Sequence, residues 1–254
     1  MHESIKHGLV EDYARDGIVY PIEVLSTRKA QRYRAEFEKF EAQVGRQLRY
    51  VAMLHLYFRW AFELAVEPGI LDATESILGR ELLVQSTLIL CKYPRDESFV
   101  TWHQDFNYGG ETSISAWIAL SASSRQSGCL RAIAGSQTAG VLPHAAAKIE
   151  NNILTYSVDV DESPAVDIEL KTGEMSLHHP GLVHGSFPNQ SEDKRIGFII
   201  RYVTPQFACN DNPVVRARGN AICRHLDLWP TPSETTKNNF SAWKKFAGER
   251  NLLK

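Results

Sequence analysis

The stretch TWHQDFNYGG, residues 101–110, sets an imidazole and a carboxylate two positions apart, His103 and Asp105, with Trp102 and Tyr108 beside them. On an extended strand, residues i and i+2 project to one face, so His103 and Asp105 point together while Gln104 turns away. Such a pair can hold a metal, orient a catalytic proton, or sit on a hydrated strand face. A metal needs a further donor, and residues 173–203, GEMSLHHPGLVHGSFPNQSEDKRIGFIIRYV, offer His178, His179 and His184. Two imidazoles and one carboxylate on one side of a metal leave the opposite positions open, which is how non-haem Fe(II) oxygenases take up co-substrate and O2. Alone, His-x-Asp is a weak motif, and so is one distal histidine.

Arg195 lies eleven residues after His184, at the start of the next apolar strand. A guanidinium at the mouth of a barrel needs an anionic partner, and it pairs with a carboxylate through two parallel hydrogen bonds. A dicarboxylate co-substrate meets that need, with one end on iron and the other on the arginine. The plain alternative is a surface arginine closing the SEDKR loop. His-x-Asp, a distal histidine and a strand-entry arginine in this order are harder to obtain by chance than any one of them. Arg201, six residues on and on the same strand face, could meet a substrate anion or reach solvent from a strand end; Arg131 in SGCLRAIAGS is similar. Tyr108 and Trp102 read as wall residues or as substrate contacts.

Two kinds of element must position these groups. Before about residue 82 the chain reads mainly as helix. STRKAQRYRAEFEKFEAQV, from Ser26, places a cap ahead of helix formers. LHLYFRWAFELA, from Leu54, is apolar nearly all round, as in a helix covered on several sides, and ILDATESILG follows after Pro68 and Gly69. From residue 82, LLVQSTLILCKY, SISAWIAL, ILTYSVDV, AVDIEL, EMSLHH and RIGFIIRYV are short segments rich in β-branched and aromatic residues, separated by turn chemistry. Strands this dense without intervening helices predict an antiparallel barrel or sandwich. PSETTKNNFSAWKKFAGER returns to helix, with Ser233 or Thr235 as cap.

Composition narrows the classes. The chain has 254 residues, 43% of them hydrophobic and 23% charged, which is ordinary for a globular protein. One domain over 1–254 is expected, with a helical layer over about 1–81, a β core over about 82–205 and a C-terminal extension over about 206–254. A net charge of −2 gives no electrostatic reason for nucleic acid or an anionic membrane as partner. No apolar run approaches the roughly 20 residues of a membrane span, and the charged N-terminal stretch lacks an apolar signal core, so a cytoplasmic protein is expected. Cys91, Cys129, Cys209 and Cys223 form no Cys-x-x-Cys pair, so reduced thiols are expected.

The blocks ILGRELLVQSTLILCKYP, TWHQDFNYGG, SGCLRAIAGS, GEMSLHHPGLVHGSFPNQSEDKRIGFIIRYVTP and VVRARGNAICRHLDLWPTP, spread over about residues 10–235, resemble the phytanoyl-CoA dioxygenase family of Fe(II)/2-oxoglutarate oxygenases, particularly its bacterial small-molecule members. The resemblance implies a double-stranded β-helix, a jelly-roll barrel of two facing sheets under an N-terminal helical layer. It implies His103, Asp105 and His184 as metal ligands and Arg195 as the clamp on the distal carboxylate. Ser186 falls where family members offer the co-substrate a hydroxyl, and Trp117 where an aromatic lines its pocket. His184 rather than His179 is implied because the family ligand is followed by Gly-Ser, then Asn, then Arg. His178 and His179 are expected to pack or bond near the site entrance.

The chain departs from the family at Ala134-Gly135-Ser136-Gln137, where relatives often carry Pro-Gly-Ser-His. That loosens the expectation for the substrate pocket and leaves the metal set untouched. Halogenating relatives replace the carboxylate by a small residue, so Asp105 points to hydroxylation or a related oxidation. The expected cofactors are Fe(II), 2-oxoglutarate and O2. The expected substrate is a compact metabolite, because no Lys/Arg cluster near the site blocks suits the phosphates of an acyl-CoA. Two other classes fit parts of the pattern: a metal-dependent hydrolase, which leaves Arg195 without purpose, and a non-catalytic ligand-binding barrel.

Overall fold

The computed structural model describes residues 3–105, 112–206, 213–220, 228–233, 237–250 and 252. Tyr108, Thr235, Cys209 and Cys223 lie outside the described residues.

The first half follows its helical pattern in part. Helix α1 spans Glu3–Asp16 and α2 spans Thr27–Val44. The Ser26 hydroxyl accepts the Lys29 N–H at 3.3 Å at the start of α2, and Gly45 ends it at φ 80°, a left-handed backbone that glycine adopts without penalty. Ala30, Tyr33, Phe37 and Phe40 form its buried stripe, spaced by three and four residues. The continuous helix expected from Leu54 is instead a 3-10 turn, Leu54–Leu56, followed by α3, Arg59–Ala65. A run apolar on every side carries no period to hold it to one axis, and Phe58 takes an extended backbone between the two pieces. Helix α4, Pro68–Leu78, carries Pro68 in its first turn, where the missing N–H costs nothing.

Two strands precede residue 82, where mainly helix was expected: β1, Ile18–Glu23, and β2, Tyr50–Ala52. After them come β3 (Leu82–Lys92), β4 (Val100–His103), β5 (Ser113–Ala119), β6 (Leu130–Ala132), β7 (Ala145–Ala146), β8 (Tyr156–Ser157) and β9 (Val166–Ile168). Then follow β10 (Glu174–His178), β11 (His184–Ser186), β12 (Arg195–Val203), β13 (Val215–Arg218) and helix α5 (Lys237–Glu249). The strand expected over ILTYSVDV shrinks to the two residues of β8.

The strands form a large antiparallel sheet, ordered β1-β10-β5-β12-β3-β13 with β2 also on β3, and a smaller one, ordered β4-β11-β6-β9. In the centre of the large sheet β12 is buried on both faces, which is why RIGFIIRYV reads as an almost unbroken apolar run. Ile196, Phe198, Ile200 and Tyr202 face the helices, packed with Phe37, Phe58 and Leu64. Ile199 faces the other way, with Trp117 and Ala119 of β5 against Leu130, Ala132 and Ile168 of the small sheet. Fold class is therefore mainly β with helices on one side, two facing antiparallel sheets in the double-stranded β-helix manner. Helix α5 docks through Trp243, which is fully buried beside Phe40 and Phe58 and donates its indole N–H to the Ala52 carbonyl at 3.1 Å. No helix among the described residues is long and apolar enough to cross a membrane.

Candidate active site

His103 ends β4 and His184 opens β11, and the two are direct cross-strand partners in the small sheet. Their rings stand 4.1 Å apart, centre to centre. Each Nδ1 lies 2.9 Å from a carbonyl oxygen, that of Thr101 for His103 and that of Leu182 for His184. A carbonyl can only accept, so both rings carry the proton on Nδ1 and turn a bare Nε2 inward. Burial pushes the His103 pKa down to about 3, so this imidazole is neutral, the form that binds metal.

Asp105 follows two residues later, past the end of β4. Gln104 is pinned away from the site: its amide donates to the carbonyls of Gly140 and Gly181 and its oxygen accepts the Leu142 N–H. The Asp105 N–H donates to the Pro180 carbonyl at 2.7 Å. Its Oδ1 is 3.7 Å from His103 Nε2, and its Oδ2 is 4.0 Å from His184 Nε2. One donor atom from each of the three residues lies within 4.8 Å of the others, and all three residues are buried. Burial alone would raise the Asp105 pKa, but the Arg201 guanidinium and the two imidazoles reverse this and hold it below the usual carboxylate range. A neutral imidazole donor and an ionised carboxylate, converging with a second imidazole in a dry place, suit a divalent iron.

The three residues open onto a cavity of about 290 Å³ between the sheets. Its opposite wall is the inner face of the large sheet. Arg201, Ser115 and His178 are register partners across β12, β5 and β10, and Ile199 and Trp117 form the next row. Arg195 ends the inward row of β12, so six residues of one strand separate the two arginines. Arg201 reaches across the gap and holds Asp105 Oδ2 at 2.7 Å. Arg195 is 2% exposed, its guanidinium lies 5.4 Å from the centre of the Trp117 ring, and among the described residues no carboxylate pairs with it. Between them, Gly197 leaves room for that ring: a Cβ there would stand 2.2 Å from Trp117 Cζ2. Ser186 also lines the cavity.

The structure thus brings His103, Asp105, His184, Arg195, Ser186, Trp117 and Arg201 to one cavity. Arg131 is not among its lining residues. That arginine is engaged by Asp167 at 2.9 Å and Glu162 at 3.4 Å, and lies over the rings of Trp102 and Phe187, in a salt-bridge cluster outside the cavity lining. His178 lines the cavity and its Nδ1 has no hydrogen-bond partner among the described residues, whereas His179 accepts the Gly181 N–H in the turn behind it. Sequence reading missed Tyr50, Tyr156 and Arg250, which also line the cavity and come from three distant segments without a shared motif. It also missed Lys92, whose only signal was a charge ending the apolar strand LLVQSTLILCK.

Facing sheets enclosing a buried His, Asp and His set define the class of non-haem iron, 2-oxoglutarate-dependent oxygenases. Within it, this chain belongs to the phytanoyl-CoA dioxygenase (PhyH) family, whose model matches residues 13–197. A probable phytanoyl-CoA dioxygenase of Caenorhabditis elegans is 27% identical over 188 residues, 68% of this chain and 55% of that protein. A probable alpha-ketoglutarate-dependent hypophosphite dioxygenase of Stutzerimonas stutzeri is 29% identical over 212 residues, 76% of this chain and 73% of that protein. The apo structure of the non-haem monooxygenase ThoJ superimposes with a TM-score of 0.81 at 29% identity, covering 95% of each chain. The chain spans about half the length of most of the first curated relatives it matches.

Proposed function

We propose that this chain is an Fe(II)- and 2-oxoglutarate-dependent dioxygenase that hydroxylates, or otherwise oxidises, an aliphatic C–H of a small metabolite or natural-product intermediate, releasing succinate and CO2. The observation that carries the reading is Arg195. A buried guanidinium without a carboxylate partner among the described residues is costly, and it opens onto the same cavity as the three metal-binding side chains. A dicarboxylate reaching from metal to arginine removes that cost.

In this reading His103 Nε2, His184 Nε2 and Asp105 hold the iron, and Arg195 fixes the far carboxylate of 2-oxoglutarate by a bidentate pair. Ser186 offers that carboxylate a hydroxyl, and Trp117 walls the space between. Iron with co-substrate supplies the activation of O2 and the attack on the C–H bond. The chain supplies placement and the exclusion of water. A cavity of this size, shared with the co-substrate, supports a compact substrate group over a bulky one.

The test is an anaerobic titration with Fe(II) and then 2-oxoglutarate, read by the visible charge-transfer band of a chelated keto acid. His103→Ala or His184→Ala should abolish metal binding. Arg195→Ala should keep metal binding but weaken 2-oxoglutarate by about 2–5 kcal/mol, as for a lost desolvated charge pair. Unchanged co-substrate affinity in Arg195→Ala sinks the reading. Succinate release across small amino-acid-like metabolites and CoA esters then sorts the substrate, with the small metabolites expected to win.

A further inference from the structure

Lys92 is the last residue of β3 and the direct cross-strand partner of Arg195. Opposed residues in an antiparallel pair share a face with their Cβ atoms about 5 Å apart, so two cations stand side by side. Both are buried, Lys92 completely and Arg195 to 2% exposure. Two adjacent buried positive charges are unfavourable unless an anion completes the site. Asp96, the acid whose field reaches Lys92, is engaged by Arg49 at 2.9 Å and by the N–H groups of Tyr93 and Ser98. Among the described residues the hydrogen-bond acceptors of Lys92 Nζ are neutral: it donates to Ser186 Oγ at 2.7 Å and to the Phe187 carbonyl.

The contact with Ser186 has a direction. Because Nζ donates to Oγ, the hydroxyl keeps its own hydrogen to give, and Ser186 lines the cavity while Lys92 stands behind it. We propose that Lys92 is a positioning residue for the co-substrate: it polarises Ser186 so that the hydroxyl donates to the distal carboxylate held by Arg195, and it adds a second positive charge behind that carboxylate. The inference rests on the function proposed above. Burial and the Arg195 charge both push the Lys92 pKa well down, and a carboxylate arriving between the two cations opposes that push. Lys92 does not touch the metal ligands, so its influence belongs to the far end of the co-substrate alone.

The experiment compares two keto acids on the Fe(II)-loaded protein under nitrogen, both read by the visible band. One is 2-oxoglutarate; the other, 2-oxopentanoate, keeps the chelating head and lacks the distal carboxylate. Lys92→Met, which preserves length in a buried place, should raise the dissociation constant of 2-oxoglutarate at least tenfold. It should leave those of 2-oxopentanoate and of the metal within about twofold. Adding Ser186→Ala to Lys92→Met should cost little more, because the two act in one chain. An equal loss for both keto acids, or none for either, overturns the proposal. If Lys92→Met does not fold, Lys92→Gln keeps a hydrogen bond without the charge and is judged by the same comparison. Should Arg195→Ala also leave 2-oxoglutarate untouched, the proposed function fails. If only the Lys92 variants do so, this inference alone fails.

Discussion

The two oxygens of Asp105 have different neighbours. Arg201 holds Oδ2 at 2.7 Å, while Oδ1 faces His103 Nε2. Both partners of the Arg201–Asp105 pair are almost fully buried, so removing one strands a charge, and breaking such pairs costs about 3–5 kcal/mol. Arg201→Met is expected to destabilise the metal-free protein by about that much, measured as a lower urea midpoint at unchanged slope. Equal midpoints would mean the pair does not form in solution. At this scale the sequence was informative where spacing alone decides. Residues 103 and 105 share a direction in any strand, and Arg195 and Arg201 share one along β12. It was silent on what each arginine touches, because that depends on which sheet lies opposite. Arg131 has the same side-chain chemistry as Arg201, yet it faces Asp167 and Glu162 outside the cavity.

Strand β12 gathers most of the site on one element. Its inward row, Arg195, Gly197, Ile199 and Arg201, places a clamp, a gap for the Trp117 ring, an apolar wall and the partner of Asp105 at successive even spacings. Gly197→Ala forces a methyl into the Trp117 ring. A stability loss of about 1–3 kcal/mol is expected from overpacking, together with weaker 2-oxoglutarate binding as the ring shifts away from Arg195. Thermal unfolding and the charge-transfer titration measure the two effects; wild-type values in both would show that Trp117 has another place to go. The long strands were legible because β-branched runs survive any context: β3, β5, β10 and β12 fall where they were expected. The short β1 and β2 were not. Residues 18–23 and 50–52 carry too few residues to show a period, and they are strands only because the large sheet offers them an edge. The run from Leu54 failed for the opposite reason, being apolar on all sides and therefore free to be divided by packing.

For the molecule as a whole, buried histidines make acid the main threat. Burial pushes His55 and His103 down to about 3, whereas in the unfolded chain each titrates near 6.5. Between those values the unfolded chain holds more protons, so acidification favours unfolding. The stability from this source is fully present above about pH 6.5 and is lost as pH falls toward 3, on the order of 1.4 kcal/mol per pH unit for each histidine. Urea midpoints of the metal-free protein at pH 7.5, 6 and 5 should therefore decline, and His55→Phe should flatten part of the slope. A midpoint independent of pH across that range would contradict the burial. The architecture of two facing sheets was legible from strand density and from the family blocks. The share of the cavity lining that Tyr50, Tyr156 and Arg250 supply was not, since side chains from three remote segments meet only after folding.

Because β12 is hydrogen-bonded along its length to β5 on one side and β3 on the other, it cannot slide in register. The two arginines it carries therefore stand a fixed distance apart, about 20 Å of backbone for six residues at roughly 3.3 Å each. Arg201 is tied to the metal end through Asp105, and Arg195 marks the far end. The register of β12 therefore fixes how far apart the two ends of the cavity stand: the carboxylate that Arg201 holds and the guanidinium of Arg195 cannot approach one another without breaking the pairing on both sides of the strand.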